Sequence, residues 1–205
     1  EDKTDSKAVF GTGGICYVSA ENIYVTESHY GENNADVTQT CIRKVSYGDG
    51  ILQGVAQTTV DGTLNDSFSI DEYEGYLRLV TTVNPVNSGG GWSDGSALTG
   101  GVEDVDTNSL YILDETLNIV GDLYDIAPDE SVYSARFMGD TGYFVTFKHV
   151  DPLFSVDLSD PENPQVTGEL KIPGFSEYLH PYGDGKLLGI GMSVDETRCL
   201  SFSVS

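Results

Sequence analysis

Short apolar runs recur in pairs from residue 15 to residue 204, with turn-forming residues at the breaks. "ICYVSA" (15–20) and "NIYVTESHY" (22–30) are split by Glu21, and "QTCIRKVSY" (39–47) and "GILQGVAQT" (50–58) by a "GDG" break. That is hairpin spacing, and no long helical pattern competes with it. The runs fall into four groups, three of four strands and a last of three. The later groups are "DSFSID" to "NIVGDLY" (66–124), "SVYSARFM" to "QVTGELKI" (131–172) and "SEYLHPY" to "RCLSFSV" (176–204). Twelve Tyr and eight Phe favour strands, and 24 Gly and seven Pro supply turns.

A chain that repeats one hairpin must be tested as a repeat. Placed without gaps, "SIDEYEGYLRLVTT" (69–82) and "RFMGDTGYFVTF" (136–147) put Gly75 on Gly142 and Tyr76 on Tyr143. The same frame sets "HPYGDGKLLGIG" (180–191) beside them, and "CYVSAENIYVT" (16–26) more loosely. The anchors Ile23, Tyr76, Tyr143 and Leu187 lie 53, 67 and 44 residues apart. The shortest spacing suits a four-stranded propeller blade, and the longer ones a blade plus an insertion. A sandwich needs no recurrence of the same hairpin. A propeller does, because each blade buries its faces only against its neighbours.

The segment "YSARFMGDTGYFVTFKHVDPLFSVDLSDPENPQVTGELKIPGFSEYLHPYGDG", with "FSIDEYEGYLRLVTT" and "LYILDETLNIVGDL", resembles the secreted bacterial and archaeal beta-propeller domain family, distantly similar to WD-repeat propellers. The likeness covers most of the chain. It implies an all-β propeller fold and export, and it carries no catalytic residue set. The expected architecture is about four blades of four antiparallel strands. It is either a fragment, read as a C-terminal part of a longer propeller, or a closed four-blade ring completed by "KAVFG" (7–11). Residues 1–14 are read as an N-terminal extension, and the blades as 15–58, 66–124, 131–172 and 175–205.

Ten Lys and Arg stand against 33 Asp and Glu, a net charge of −23. Such a field repels nucleic acid and anionic membrane surfaces, and no apolar run is long enough for a spanning helix. Cys16, Cys41 and Cys199 match no zinc spacing and are expected as buried, inert thiols.

Binding residues are sought on the loops. The insertion "NPVNSGGGWSDGSALTGGVEDVDT" (84–107) holds Trp92, a contact residue for sugar or peptide if the loop is ordered. The repeat frame also aligns Cys16, Ser69, Arg136 and His180 on first strands, where Arg136 and His180 can face a channel and an anionic ligand. The structural alternative pairs Arg136 with a carboxylate and packs His180 before Pro181. Asp104, Asp106, Asn108 and Glu115 occupy positions 1, 3, 5 and 12 of a calcium loop, with Ser109 where Gly belongs. Calcium is the one cofactor considered. No nucleophile elbow, phosphate loop or helical metal motif is present.

The expected function is therefore a secreted or cell-surface, non-catalytic module that binds protein or glycan through one propeller face. The alternatives are a hydrolase or lyase using acidic residues, and a structural spacer.

Overall fold

The computed structural model describes residues 14–30, 36–48, 51–86, 105–147, 151–172, 175–183, 186–192 and 199–204. "KAVFG" and the loop bearing Trp92 and Asp104 lie outside them. The described chain is all strand and turn. Fifteen strands run in chain order: β1 (Cys16–Val18), β2 (Asn22–Tyr30), β3 (Thr38–Gly48), β4 (Ile51–Asp61), β5 (Ile70–Tyr73), β6 (Tyr76–Val83), β7 (Thr107–Leu113), β8 (Ile119–Ile126), β9 (Ser131–Met138), β10 (Thr141–Phe147), β11 (Asp151–Asp157), β12 (Gln165–Ile172), β13 (Phe175–Pro181), β14 (Leu187–Met192) and β15 (Cys199–Val204).

They pair antiparallel, neighbour to neighbour, into sheets β1–β4, β5–β8, β9–β12 and β13–β15. This is the grouping that the hairpin spacing predicts, and the sheets are propeller blades.

The blades hold together through their faces. Side chains alternate across a strand, so odd and even positions of the second blade point to different neighbours. Leu77, Leu79, Tyr111 and Leu113 join Tyr24, Ile42 and Val60 of the first blade. Val80, Leu110 and Ile112 join Ala135, Phe137, Phe144 and Val156 of the third. A smaller cluster, Val145, Leu153, Leu179 and Leu187, links the third blade to the fourth. Burial on both sides explains why β6 and β7 are enclosed almost end to end, whereas β2 alternates buried and half-buried. Each fully buried Leu or Val contributes about 1.5–3 kcal/mol to this packing.

Polar latches supplement it. Lys44, buried in the first blade, donates from Nζ to the Glu115 carbonyl at 3.0 Å and lies over the Tyr24 ring. Asn22 and Ser19 donate to the Glu72 carboxylate. Between the second and third blades the latch is Asn108, which is 0% exposed. Its Nδ2 donates to the carbonyls of Ile126 (2.9 Å) and Glu130 (3.0 Å), and its Oδ1 accepts from Thr82 Oγ1 and Val132 N.

Asn108 therefore corrects the calcium-loop expectation. Its side chain is spent on the link between blades. Thr107–Leu113 is an extended strand, so Asn108 and Glu115 stand roughly 20 Å apart along it. Ligands of one calcium ion lie within about 2.6 Å of it. Asp106 accepts a hydrogen bond from Ser131 Oγ at 3.4 Å, and Glu115 is exposed at the β7–β8 turn. No cluster of three or more His, Cys, Asp or Glu suited to a metal occurs among the described residues.

Candidate functional site at the mouth between first strands

First strands β9 and β13 adjoin, and β1, β5 and β9 line one cleft. Arg136 on β9 donates from Nε to the Leu179 carbonyl of β13 at 2.9 Å and from a terminal nitrogen to the Tyr178 hydroxyl at 3.1 Å. Its guanidinium carbon lies 4.0 Å from the centre of the Phe68 ring and 5.4 Å from that of Tyr178. Phe68 and Tyr178 meet edge to face at 5.4 Å. The Tyr178 hydroxyl is 3.0 Å from His180 Nδ1. His180 itself is exposed. The structure thus brings Arg136 and His180 to the two ends of one chain of contacts, with Tyr178 between them. The carboxylate partner expected for Arg136 is absent among the described residues; two rings, a carbonyl and a phenol take its place.

Arg136 opens onto a cleft of about 430 Å³ shared by the first three blades. Cys16, Tyr17 and Val18 of β1 form one wall. Ser67, Phe68, Ile70 and Asp71 form a second, and Arg136 and Phe137 the third. Val18 and Phe68 are 57% and 38% exposed, so the rim is apolar. Cys16 is also exposed, against the expectation of a buried thiol; Cys41 is buried as expected. Cys16 and Val18 share the open face of β1, while Tyr17 on the other face is half-buried.

Asp71 is the one carboxylate on the lining, and it is engaged. It pairs with Arg78, which is 3% exposed. The Arg78 guanidinium also lies over Tyr73 and Phe137 and donates to the Gly139 carbonyl at 2.6 Å. Tyr17 reaches Asp71 with its hydroxyl at 3.4 Å and accepts from Glu72 N at 3.0 Å. Burial, with the charges of Asp71 and Glu72 nearby, raises the Tyr17 phenol above its ordinary range. It remains a neutral hydrogen-bonding group at neutral pH.

The register corrects one detail of the repeat. Tyr73 pairs with Tyr76 and Met138 with Thr141, each closing a two-residue turn. Counting back from these turns, Asp71 (opposite Arg78), not Ser69, stands level with Arg136 (opposite Tyr143). The gapless frame slipped by two residues because its shared Gly-Tyr pairs do different work. Gly75 is in a turn at φ 84°, whereas Gly142 is inside a strand, where a Cβ would meet Phe144. Ser69 is fully buried and is not part of the cleft lining.

Trp92 lies outside the described residues. Phe68, Tyr178, Tyr17 and Asp71 are the site residues that the sequence did not single out. Their signal was present: "DSFSID" and "SEYLHPY" place aromatics on or beside the first strands, next to the position of Arg136.

The family model for the beta propeller domain matches residues 1–202. The chain belongs to this family. This propeller is 41% identical over 170 residues, 83% of its length, to an uncharacterized protein of Archaeoglobus fulgidus. It is 47% identical over 147 residues, 71% of its length, to an uncharacterized protein of Methanocaldococcus jannaschii. It spans 24% and 21% of the length of those two relatives.

Proposed function

We propose that this propeller is a non-catalytic binding module, secreted or held at the cell surface, whose ligand is a protein or a glycan. The observation that carries this reading is the composition of the mouth cleft. It has an exposed apolar rim, one half-buried cation set between rings, and a single carboxylate already paired with Arg78. Glycoside hydrolysis by paired carboxylates needs two such groups facing one bond. The cleft lining supplies one, and its charge is spoken for. The size suits a small ligand or the end of a chain.

The test is a glycan and peptide array probed with wild-type protein and with Val18→Trp, which fills the cleft from an exposed position. The expected result is a set of ligands retained by wild type and lost by the variant. Turnover of a bound ligand would move the protein to the hydrolase or lyase class. Absence of any cleft-dependent ligand would leave the spacer reading. Export is checked separately, by locating the native protein in cell fractions.

A further inference from the structure

We infer that the mouth cleft recognises a carboxylate carried on an apolar body, with Arg136 as the group that holds the charge. The inference rests on the reading of the cleft as a binding site and names its ligand class.

Three arginines are described. Arg43 pairs with Glu27 at 2.9 Å, and Arg78 pairs with Asp71. Arg136 has no carboxylate partner among the described residues, in a chain of net charge −23 where acids outnumber bases by more than three to one. Its Nε and one terminal nitrogen donate to Leu179 and Tyr178, which leaves the other terminal nitrogen without an acceptor among the described residues. The rings of Phe68 and Tyr178 fix the plane of the guanidinium without neutralising it. A planar cation held in place, half-buried and still carrying a donor, is suited to a carboxylate oxygen.

The rest of the cleft selects what the carboxylate is attached to. Val18, Phe68 and Phe137 present carbon. The Tyr17 hydroxyl and the Asp71 carboxylate are already bonded to each other and to Glu72 N and Arg78. Ser67 is the remaining hydroxyl on the lining. A polyhydroxylated acid such as a uronic acid would bury hydroxyls that find few partners there, and an unsatisfied buried hydroxyl opposes binding. An apolar body meets no such penalty. The carboxylate can come from a free apolar acid or from the C-terminal residue of a protein.

The test is titration of the whole protein with N-acetylphenylalanine, its amide, galacturonate, and a hexapeptide ending in free Phe, followed by calorimetry and by NMR of the Val18 methyls. N-acetylphenylalanine is expected to bind and to shift those methyls. Its amide is expected to bind at least about tenfold more weakly, since a charged hydrogen bond is lost. Arg136→Gln and Val18→Asp are each expected to weaken the acid by about tenfold or more, with Arg136→Lys between wild type and Gln. Val18 is exposed, so Val18→Asp keeps the test valid should Arg136→Gln fail to fold. Tighter binding of the hexapeptide than of the acetylated residue assigns the ligand to a protein C-terminus; equal binding assigns it to a free acid. Equal binding of acid and amide, no binding of either, or preference for galacturonate overturns the inference. Array ligands that ignore Arg136→Gln but are lost in Val18→Trp would overturn it too, while leaving the binding-module reading in place.

Discussion

Asn108 and Asp114 show how one polar side chain can hold a turn or a link that no apolar residue could. Asn108 satisfies Val132 N and the carbonyls of Ile126 and Glu130 within a buried junction. Asn108→Ala takes the side-chain donor from both carbonyls and the acceptor from Thr82 Oγ1, while Val132 N keeps its bond to Thr82 Oγ1 at 2.9 Å. The expected loss is about 2–4 kcal/mol, from roughly 1–3 kcal/mol per orphaned group with partial relaxation. Urea unfolding monitored by tyrosine fluorescence measures it; an unchanged midpoint would remove Asn108 from the role of latch. Nothing in "DVDTNSLYILDE" announces that role, because the partners lie up to 26 residues away and a short acidic run mimics an ion loop equally well. Asp114 works locally. Its Oδ1 accepts from Thr116 N, Thr116 Oγ1 and Asn118 N, all at 2.8 Å, and Oδ2 accepts from Asn118 Nδ2 at 3.0 Å. Chiefly through the Asn118 bonds, the carboxyl is held down at about 2, below its ordinary 3.8. A depressed folded value means that the ionised form stabilises the fold above the ordinary pKa and that this support is lost as pH falls through about 2. Asp114→Ala is therefore expected to lower the melting temperature near neutral pH, with the gap to wild type closing between pH 3.8 and about 2. A gap independent of pH would mean that the carboxylate charge is irrelevant to the turn. Asp157, lowered by its bond from Ser159 N, follows the same logic. Part of the acidity of this chain is turn chemistry.

The strands themselves were readable because the information that makes a hairpin is local. Apolar alternation and the breaks at 19–21, 74–75 and 139–140 sit within a few residues of what they determine. Register is less local. Gly75 and Gly142 look equivalent in sequence, but one closes a turn and the other lies under Phe144, and only the pairing of whole strands separates them. Contacts between outer strands are not local at all. At Gly121 on β8 an added Cβ would sit 2.0 Å from the Pro161 carbonyl oxygen, in the β11–β12 turn of the next blade. Both neighbours are backbone or proline ring, so neither can swing away. Gly121→Ala is expected to destabilise by about 1–3 kcal/mol, the usual effect of forcing volume into a closed contact. Thermal unfolding tests it, with Gly54→Ala as the control, since a Cβ there meets nothing within 4 Å. Equal melting temperatures for the two variants would contradict the close approach of the second and third blades at this turn.

Across the whole molecule, blades pack through apolar faces while charge accumulates outside. The face-to-face cores account for why recurrence of one hairpin marks a propeller: β6 and β7 are buried on both parities, so the blade needs a neighbour on each side. The cleft was readable in part. Arg136 and His180 could be nominated from their place on first strands, but Phe68 and Tyr178 come from segments separated by 110 residues, and their meeting depends on how three blades converge. The charge of −23 has its own consequence. Like charges distributed over one compact body repel one another more than they do in the expanded unfolded chain, so screening should favour the folded state. Between about 0.01 M and about 1 M sodium chloride the screening length shrinks from about 30 Å to about 3 Å. The melting temperature is expected to rise over that range. Because long-range repulsion is screened first, most of the rise belongs below about 0.15 M, where the screening length has fallen to about 8 Å. The close Arg78–Asp71 pair, largely shielded from solvent on the Arg78 side, is little affected by salt and does not offset the trend. A melting temperature that falls with added salt would mean that attractive pairs, rather than net repulsion, dominate the electrostatics of these blades.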